Sequence, residues 1–445
     1  MKKLISALAV TAMLCGPMTA AQAGLFGGKQ KAKPKTPTHG DRIPILLSES
    51  GALPDPNLAT VPVIIPDPVT NENWGQPGGN ATKAMGHVTL GADLKPVWHK
   101  AVAGNTHRAR LAATPVVADG KLYVIDTHAN VHAFDAKSGD ALWTADFGSK
   151  GSNSVVYGGG VSVEDGVVYA TNGLGDVGAL KAKDGSLIWK KHPGGPLRGA
   201  PSVGYGDIYV TSQDNQLFAI KAADGNIEWQ VSASLELAGV FGAASAAVGQ
   251  GTVVEGFSSG ELNAYRYENG RTLWGDALSR TSMSTSVAAL SDIDANPVID
   301  RGRVFAIGAG GRMVSVDLFT GQRIWEINIA GLTTPWVAGE WIFAVTDDGQ
   351  LHCIARSTGK IRWTLLLPNH VKNKADKAAI RWYGPVLAGG RLILTSSQGA
   401  IAEVNPGDGS LKSMGRGSGP MSVGPIVANN MLYTLDESGH LTAWR

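Results

Sequence analysis

The groups with which this 445-residue chain could do chemistry are few and scattered. Of ten histidines, one close pair, His128 and His132, has the four-residue spacing that aligns two metal ligands on a helix. Here the pair falls across a turn between strands, so the spacing signals no metal site. The two cysteines, Cys15 and Cys353, form no paired-cysteine cluster. No Gly-x-Ser-x-Gly elbow is present to activate a serine, and no Walker loop to cradle a phosphate. Gly158-Gly159-Gly160 leads into a strand, not a helix, so it offers no helix N-terminus to an anion. Two short stretches that lie between copies of a repeated unit, Leu197-Arg198 and Asp292-Ile293-Asp294, hold an arginine and two carboxylates. The arginine and the two carboxylates could pair with each other, or meet opposite charges on a partner. Alternatively, the aspartates could simply cap turns through nearby backbone amides. An exposed ion pair adds only about 0.2–1 kcal/mol. An interface here would therefore rest on Leu197 as its apolar anchor.

The elements that must position these residues are copies of one unit. Thr114 to Trp143 contains four short apolar runs separated by turn residues, which predicts one four-stranded antiparallel sheet. Asp119-Gly120 accepts the positive backbone angles of a tight hairpin. A turn glycine followed four residues later by tryptophan recurs as Gly139/Trp143, Gly185/Trp189, Gly225/Trp229, Gly270/Trp274, Gly321/Trp325 and Gly359/Trp363. Gly409 leads to Ser413 at the equivalent place, and Trp98 stands in an orphan strand without a preceding turn. The mean interval from Trp98 to Ser413 is about 45 residues, the length of a propeller blade. Hairpin dipeptides at Asp119, Asp165, Tyr205, Gln250, Arg301, Gly339, Gly389 and Asn429 reach the same count by a separate route. The expected fold is all-β: an eight-bladed β-propeller of four-stranded antiparallel blades over 94–445. It would be closed by pairing the N-terminal strand at Leu94 to Val102 with the C-terminal strand at His440 to Trp444. Every repeat tryptophan then reads as core between blades, with its indole N–H directed to a loop carbonyl.

Ahead of the propeller, residues 1–23 have the order of a signal peptide: Lys2-Lys3, an apolar run from Leu4 to Leu14, then Ala21-Gln22-Ala23. Cleavage is expected before Gly24. Residues 24–70 read as a Pro/Lys-rich extended tether with one apolar cluster at Ile43 to Leu47, and 71–93 as a Gly- and Asn-rich lead-in segment. Export leaves Cys353 as the only mature cysteine, without an internal disulfide partner. The formal charge of +2 falls to near zero without Lys2 and Lys3. With lysines concentrated in the tether, the body is slightly acidic and does not suit nucleic acid.

The signature Ala-x-x-Gly-x-x-x-Trp, as in Ala136 to Trp143 and Ala222 to Trp229, resembles the tryptophan-docking blades of quinoprotein propellers from Trp74 to Arg445. Two kinds of protein share it: the pyrroloquinoline-quinone alcohol dehydrogenases, and the BamB family of non-catalytic outer-membrane assembly factors. The dehydrogenase alternative would need a Ca²⁺ site of carboxylate and amide oxygens, an aspartate base and a flat cofactor pocket. Its members typically carry a disulfide between adjacent cysteines, which Cys353 alone cannot make. Pro196-Leu197-Arg198-Gly199-Ala200-Pro201 resembles the Leu-Arg-Gly loop of the assembly factors, and Leu290 to Pro297 their Ser-Asp-x-Asp loop. In that family these loops contact the periplasmic POTRA domains of BamA. The resemblance thus implies a scaffold subunit of the outer-membrane β-barrel assembly (BAM) complex, with Leu197, Arg198, Asp292 and Asp294 as the partner-binding residues. It implies no catalytic residue, cofactor or metal. It further implies a monomeric propeller on the periplasmic face of the outer membrane, meeting BamA and other BAM subunits, with unfolded outer membrane proteins a further partner left open. A propeller that binds other envelope ligands is a third reading. Two departures bear on this. Gly195 stands where the family can have a further leucine. Gly24 stands near where its lipid-bearing cysteine usually lies, and Leu14 before Cys15 fits a lipoprotein signal poorly, so attachment is expected through the partner and not through lipid.

Overall fold

Left-handed backbone angles at Asp119 (φ 50°) and Gly120 (φ 70°) are those of a two-residue type I′ turn, whose twist matches that of the strands it joins. Val116–Ala118 accordingly pairs back on Lys121–Ile125, and this on Asn130–Asp135 and then Ala141–Asp146. The computed structural model describes residues 52–148, 158–235, 244–278, 291–371 and 379–445. It contains eight such four-stranded antiparallel sheets in an eight-bladed β-propeller. Blades 1 to 7 cover 116–146, 159–191, 202–232, 247–277, 298–327, 336–366 and 382–416. Blade 8 joins 426–444 to the N-terminal strand Pro96–Ala101, which pairs antiparallel with His440–Trp444. Closure by the two chain ends is therefore as expected. The signal-peptide residues 1–23, Cys15, Gly24 and the Ile43 to Leu47 cluster lie outside the described residues.

The glycine and tryptophan of the repeat act between blades, not within one. A Cβ on Gly139 would lie 2.6 Å from Cδ2 of Trp98, in the preceding blade, and Gly139 has φ +76°. Gly185 stands in the same way against Trp143, Gly225 against Trp189, Gly270 against Trp229, Gly321 against Trp274, Gly359 against Trp325 and Gly409 against Trp363. Each indole N–H then donates to a carbonyl beside that turn, as Trp98 Nε1 does to Ala136 O at 3.1 Å and Trp363 Nε1 to Pro406 O at 3.0 Å. A large apolar ring is thereby buried with its one polar atom satisfied. Ser413 is the exception because the next blade is split between the chain ends and has no third-to-fourth turn to receive a tryptophan.

The lead-in segment closes the channel on one face. The innermost strand of each blade turns a free edge to the central axis, and its polar groups need partners. Residues 71–88 supply them in one circuit. Asn71 O accepts from Asn429 N of blade 8 at 2.9 Å, and Trp74 exchanges both backbone bonds with Val117 of blade 1 at 2.7 and 2.9 Å. Gly75 O accepts from Val163 N of blade 2, and the Gln76 amide brackets Val203 of blade 3. Ala81 O and Thr82 O accept from Val248 N and Ile299 N of blades 4 and 5 at 2.8 and 2.9 Å. Gly86 O accepts from Trp336 Nε1 of blade 6, and Val88 exchanges with Leu387 and Gly389 of blade 7. In the described end of the tether, Pro56–Leu58 forms a 3₁₀ turn, and the chain on either side of it is bonded to the outer strand of blade 6. Asp55 N donates to Ile361 O at 2.8 Å and Arg362 Nε to Val61 O at 2.7 Å.

Candidate functional site

Both charged stretches lie in connections between blades: 195–201 leads from blade 2 to blade 3, and 291–297 from blade 4 to blade 5. In an antiparallel blade the first-to-second and third-to-fourth turns share one face. The connections between blades and the second-to-third turns share the other. The two loops therefore occupy the rim opposite the hairpins that the plug touches at Asn73/Asp119 and Glu72/Asn429.

The first loop is fixed by its backbone. Arg198 N donates to Thr211 O at 2.9 Å, and Arg198 O accepts from Gly159 N at 3.0 Å. A Cβ on Gly158 would lie 2.3 Å from Leu197 O, so only glycine allows this approach. Leu197 packs with Tyr169, Val177 and Phe218 between blades 2 and 3 and is 0% exposed. It anchors the loop to the blades; its side chain offers no surface to a partner, contrary to the apolar-anchor expectation. The second loop is held by Ala309 N donating to Asp292 O at 2.9 Å and by Ile293, fully buried against Gly256.

Three of the four sequence-predicted residues meet in one ion cluster. Arg198 Nη2 donates to Asp292 Oδ1 at 2.8 Å and to Asp294 Oδ1 at 2.9 Å. The side chains are 5%, 1% and 4% exposed, so the pairing is internal and joins the two loops across blades 3 and 4. Two further charges lie beneath it. Glu255, fully buried on the second strand of blade 4, accepts from Thr211 Oγ1 at 2.8 Å. Lys83 rises from the plug and donates to Ser202 Oγ at 3.0 Å. Two cations thus face three carboxyls in a nearly dry site. If all five were ionised, one negative charge would remain uncompensated, which a low dielectric penalises. A retained proton removes it. Burial, and next the charge of Asp292, push Asp294 up to about 7 against the pull of Arg198. Burial raises Glu255 to about 7, opposed by Thr211, Arg198 and Lys83, and lowers Lys83 to about 7, opposed by Glu255.

Sequence reasoning missed Glu255 and Lys83. A signal for Glu255 existed: in the second strands of the other blades the same position holds Val124, Ala170, Val210, Ala306, Ala344, Leu394 and Thr434, so a carboxylate breaks an otherwise uncharged column. Lys83 had none, because nothing local in a Gly- and Asn-rich stretch tells that it enters the channel.

Three other reactive groups, His132, His352 and Cys353, are held within the blades. His132 Nε2 lies 2.9 Å from Asp126 Oδ2 and its Nδ1 3.1 Å from Thr144 Oγ1. Cys353 is buried and its thiol is pushed up by that burial; burial likewise lowers His352 to about 4. Among the described residues no group of three His, Cys, Asp or Glu side chains is placed to hold a metal ion. On the other side of the channel from Glu255 lies a cavity of about 740 Å³. It is bounded by the starts of the inner strands of blades 1, 5, 6, 7 and 8 and floored by the plug at Trp74 to Lys83.

Comparison with known proteins bears on this geometry. A family model described as outer membrane protein assembly factor BamB matches residues 90–159 and 127–365. The outer membrane protein assembly factor BamB of Salmonella typhimurium strain LT2 is 30% identical over 78% of this chain and 88% of its own length. That of Escherichia coli strain K12 is 31% identical over 73% of this chain and 82% of its own. Among solved structures, BamB from Moraxella catarrhalis superposes with a TM-score of 0.66 at 19% identity, covering 79% of this chain and all of that one. A europium-containing methanol dehydrogenase also reaches 0.66, at 13% identity, covering 84% of this chain and 98% of its own. At such identities the structural likeness carries the fold alone, which assembly factor and dehydrogenase share.

Proposed function

We propose, from the premise that this chain belongs to the outer membrane protein assembly factor BamB family, whose members are assembly factors and not enzymes, that it is the scaffold subunit of a BAM complex. In this reading it holds the periplasmic POTRA domains of BamA with the rim that carries Leu197, Arg198, Asp292 and Asp294, and so aids insertion of outer membrane proteins. It is exported by residues 1–23 and attached at the periplasmic face of the outer membrane through its partner.

The observation that carries the reading is the joining of the two loops by one buried cluster. Loops 94 residues apart in sequence are tied by Arg198 to Asp292 at 2.8 Å. Their relative position is therefore set before any partner arrives, which lowers the entropy lost on docking. The four residues act by shaping the rim, and the exposed Pro196 beside them and the half-exposed Ser291 and Asn296 present it. With the charges neutralised inside, contact is made by shape and backbone, not by a salt bridge at the surface.

Mixing the purified mature protein with soluble POTRA domains tests this. Wild type binds, while Arg198→Glu, which places a third carboxylate against Asp292 and Asp294, loses binding with the propeller still folded by circular dichroism. Wild type failing to bind, or Arg198→Glu and Asp292→Arg binding as well as wild type, would refute the assignment. Crosslinking through a photoreactive residue at Pro196 in intact cells identifies the protein that meets this rim.

A further inference from the structure

The channel is divided. Its blade 2 to 4 side is filled by the Arg198–Asp292–Asp294–Glu255–Lys83 cluster, and its blade 5 to 8 and blade 1 side is hollow. Because the plug floors it at Trp74 to Lys83, this hollow among the described residues faces the rim. Its volume of about 740 Å³ is within the range of small-molecule sites.

Two arginines stand at its mouth on different walls. Arg110 comes from the connection into blade 1, and Arg381 from the start of blade 7; both are exposed, and both line the cavity. Among the described residues neither guanidinium has a hydrogen bond or an ion pair, whereas Arg198, Arg356 and Arg391, the buried arginines, each have one. The carboxylates near them are Glu437, which also lines the pocket, and Asp347, whose ionisation Arg381 favours; neither is within salt-bridge distance. Deeper in, Lys83 uses one of its three ammonium donors on Ser202, and the Thr114 and Thr333 hydroxyls have no hydrogen-bond partner among the described residues. Asp294 also borders the pocket, but its carboxyl is held by Arg198.

We propose that this hollow is a binding site for a carboxylate, admitted from the rim and clamped between Arg110 and Arg381. Unpaired guanidinium groups on different walls of a concave mouth focus a positive field that a carboxylate answers with charge-assisted, fork-shaped hydrogen bonds. The carboxylate is borne either by an acidic polypeptide segment or by a free organic acid. A lipid surface does not suit the site, because the arginines line a recess and a bilayer headgroup layer meets convex faces. The inference is separate from the POTRA reading, since Arg110 and Arg381 belong to other connections of the rim, into blades 1 and 7, than Arg198, which enters blade 3.

Isothermal titration calorimetry of the full mature chain at low salt tests it with two probes: citrate, and a capped hexapeptide of alternating Asp and Glu. At least one probe binds with a Kd near or below about 1 mM, and added salt weakens it. The double variant Arg110→Gln/Arg381→Gln binds at least about tenfold more weakly. Its melting temperature is unchanged, because both residues are exposed and unpaired. Binding of the peptide alone assigns a polypeptide source, of citrate alone a free acid, and of both a general carboxylate clamp. No binding of either probe up to about 10 mM, equal affinity in the double variant, or arginine-dependent binding of phosphatidylglycerol vesicles without binding of the soluble probes would each overturn the proposal.

Discussion

Asp294→Asn isolates the proton held by the buried cluster. The amide has the shape of a protonated carboxyl: its oxygen accepts from Arg198 Nη2, as Asp294 Oδ1 does at 2.9 Å, and its NH₂ supplies the donor that the acid proton supplies. In the folded chain burial holds the proton on Asp294 up to about 7, whereas its ordinary value is 3.8. Between those pH values the native state binds a proton that the unfolded chain has released. The stabilising contribution is therefore complete below the unfolded value and is lost as pH rises through the folded one. The slope is about 1.4 kcal/mol per pH unit where one proton separates the states. The whole change is on the order of 4 kcal/mol if Asp294 alone carries the proton, and less where Glu255 shares it. Glu255, also raised to about 7, contributes with the same sign. Lys83, lowered to about 7, acts with the opposite sign and only above that pH, where its contribution makes stability rise until the ordinary lysine value of 10.5 is reached. The window from pH 5 to 7 thus reads the carboxyls. Urea unfolding at pH 5, 6, 7 and 8 should show wild type losing stability across this window. The variant should lose less, matching wild type near pH 5 and exceeding it near pH 8. Parallel profiles for the two proteins would refute the assignment of the proton to Asp294.

Other consequences follow from packing. Gly139→Ala brings a Cβ to 2.6 Å from Trp98 at φ +76° and should cost roughly 1–3 kcal/mol; Gly120→Ala, with nothing within 4 Å of its Cβ, should cost less, as paired thermal melts would show. Trp74→Ala removes a ring 2% exposed and stacked 5.9 Å from Trp336. A loss of about 3–5 kcal/mol is expected, and a loss below about 1 kcal/mol in urea unfolding would show that the plug contributes little to the ring. Ser413→Trp should bring no stabilisation, because blade 8 has no turn glycine to receive the indole; a raised melting temperature would contradict the account of the missing seventh tryptophan. Cys353, 0% exposed and with its thiol pushed up by burial, should react with a thiol reagent only after denaturation.

The blade count, the strand order within each blade and the closure by the chain ends were legible in the sequence because each is recorded locally. A two-residue period, an Asp119-Gly120 turn or an unmatched strand at Trp98 states its own backbone geometry, and eight repeats state it eight times. The rim loops were legible as interruptions of that repeat. Partners across space were not. Gly139 and Trp143 read as one motif, yet Gly139 receives Trp98, and Trp143 is received by Gly185. Residues 71–93 read as a lead-in, and fold as a plug because eight inward-facing strand edges need acceptors at the axis. Leu197 and Arg198 read as surface contacts and are buried, because the loop that carries them is drawn between blades 2 and 3 and the guanidinium is met by two aspartates from beyond blade 4. A residue's type and period fix the conformation it takes. Which side chain or carbonyl it meets, and hence whether a charge is spent inside or left at the mouth of a cavity, depends on what closure of the ring brings beside it.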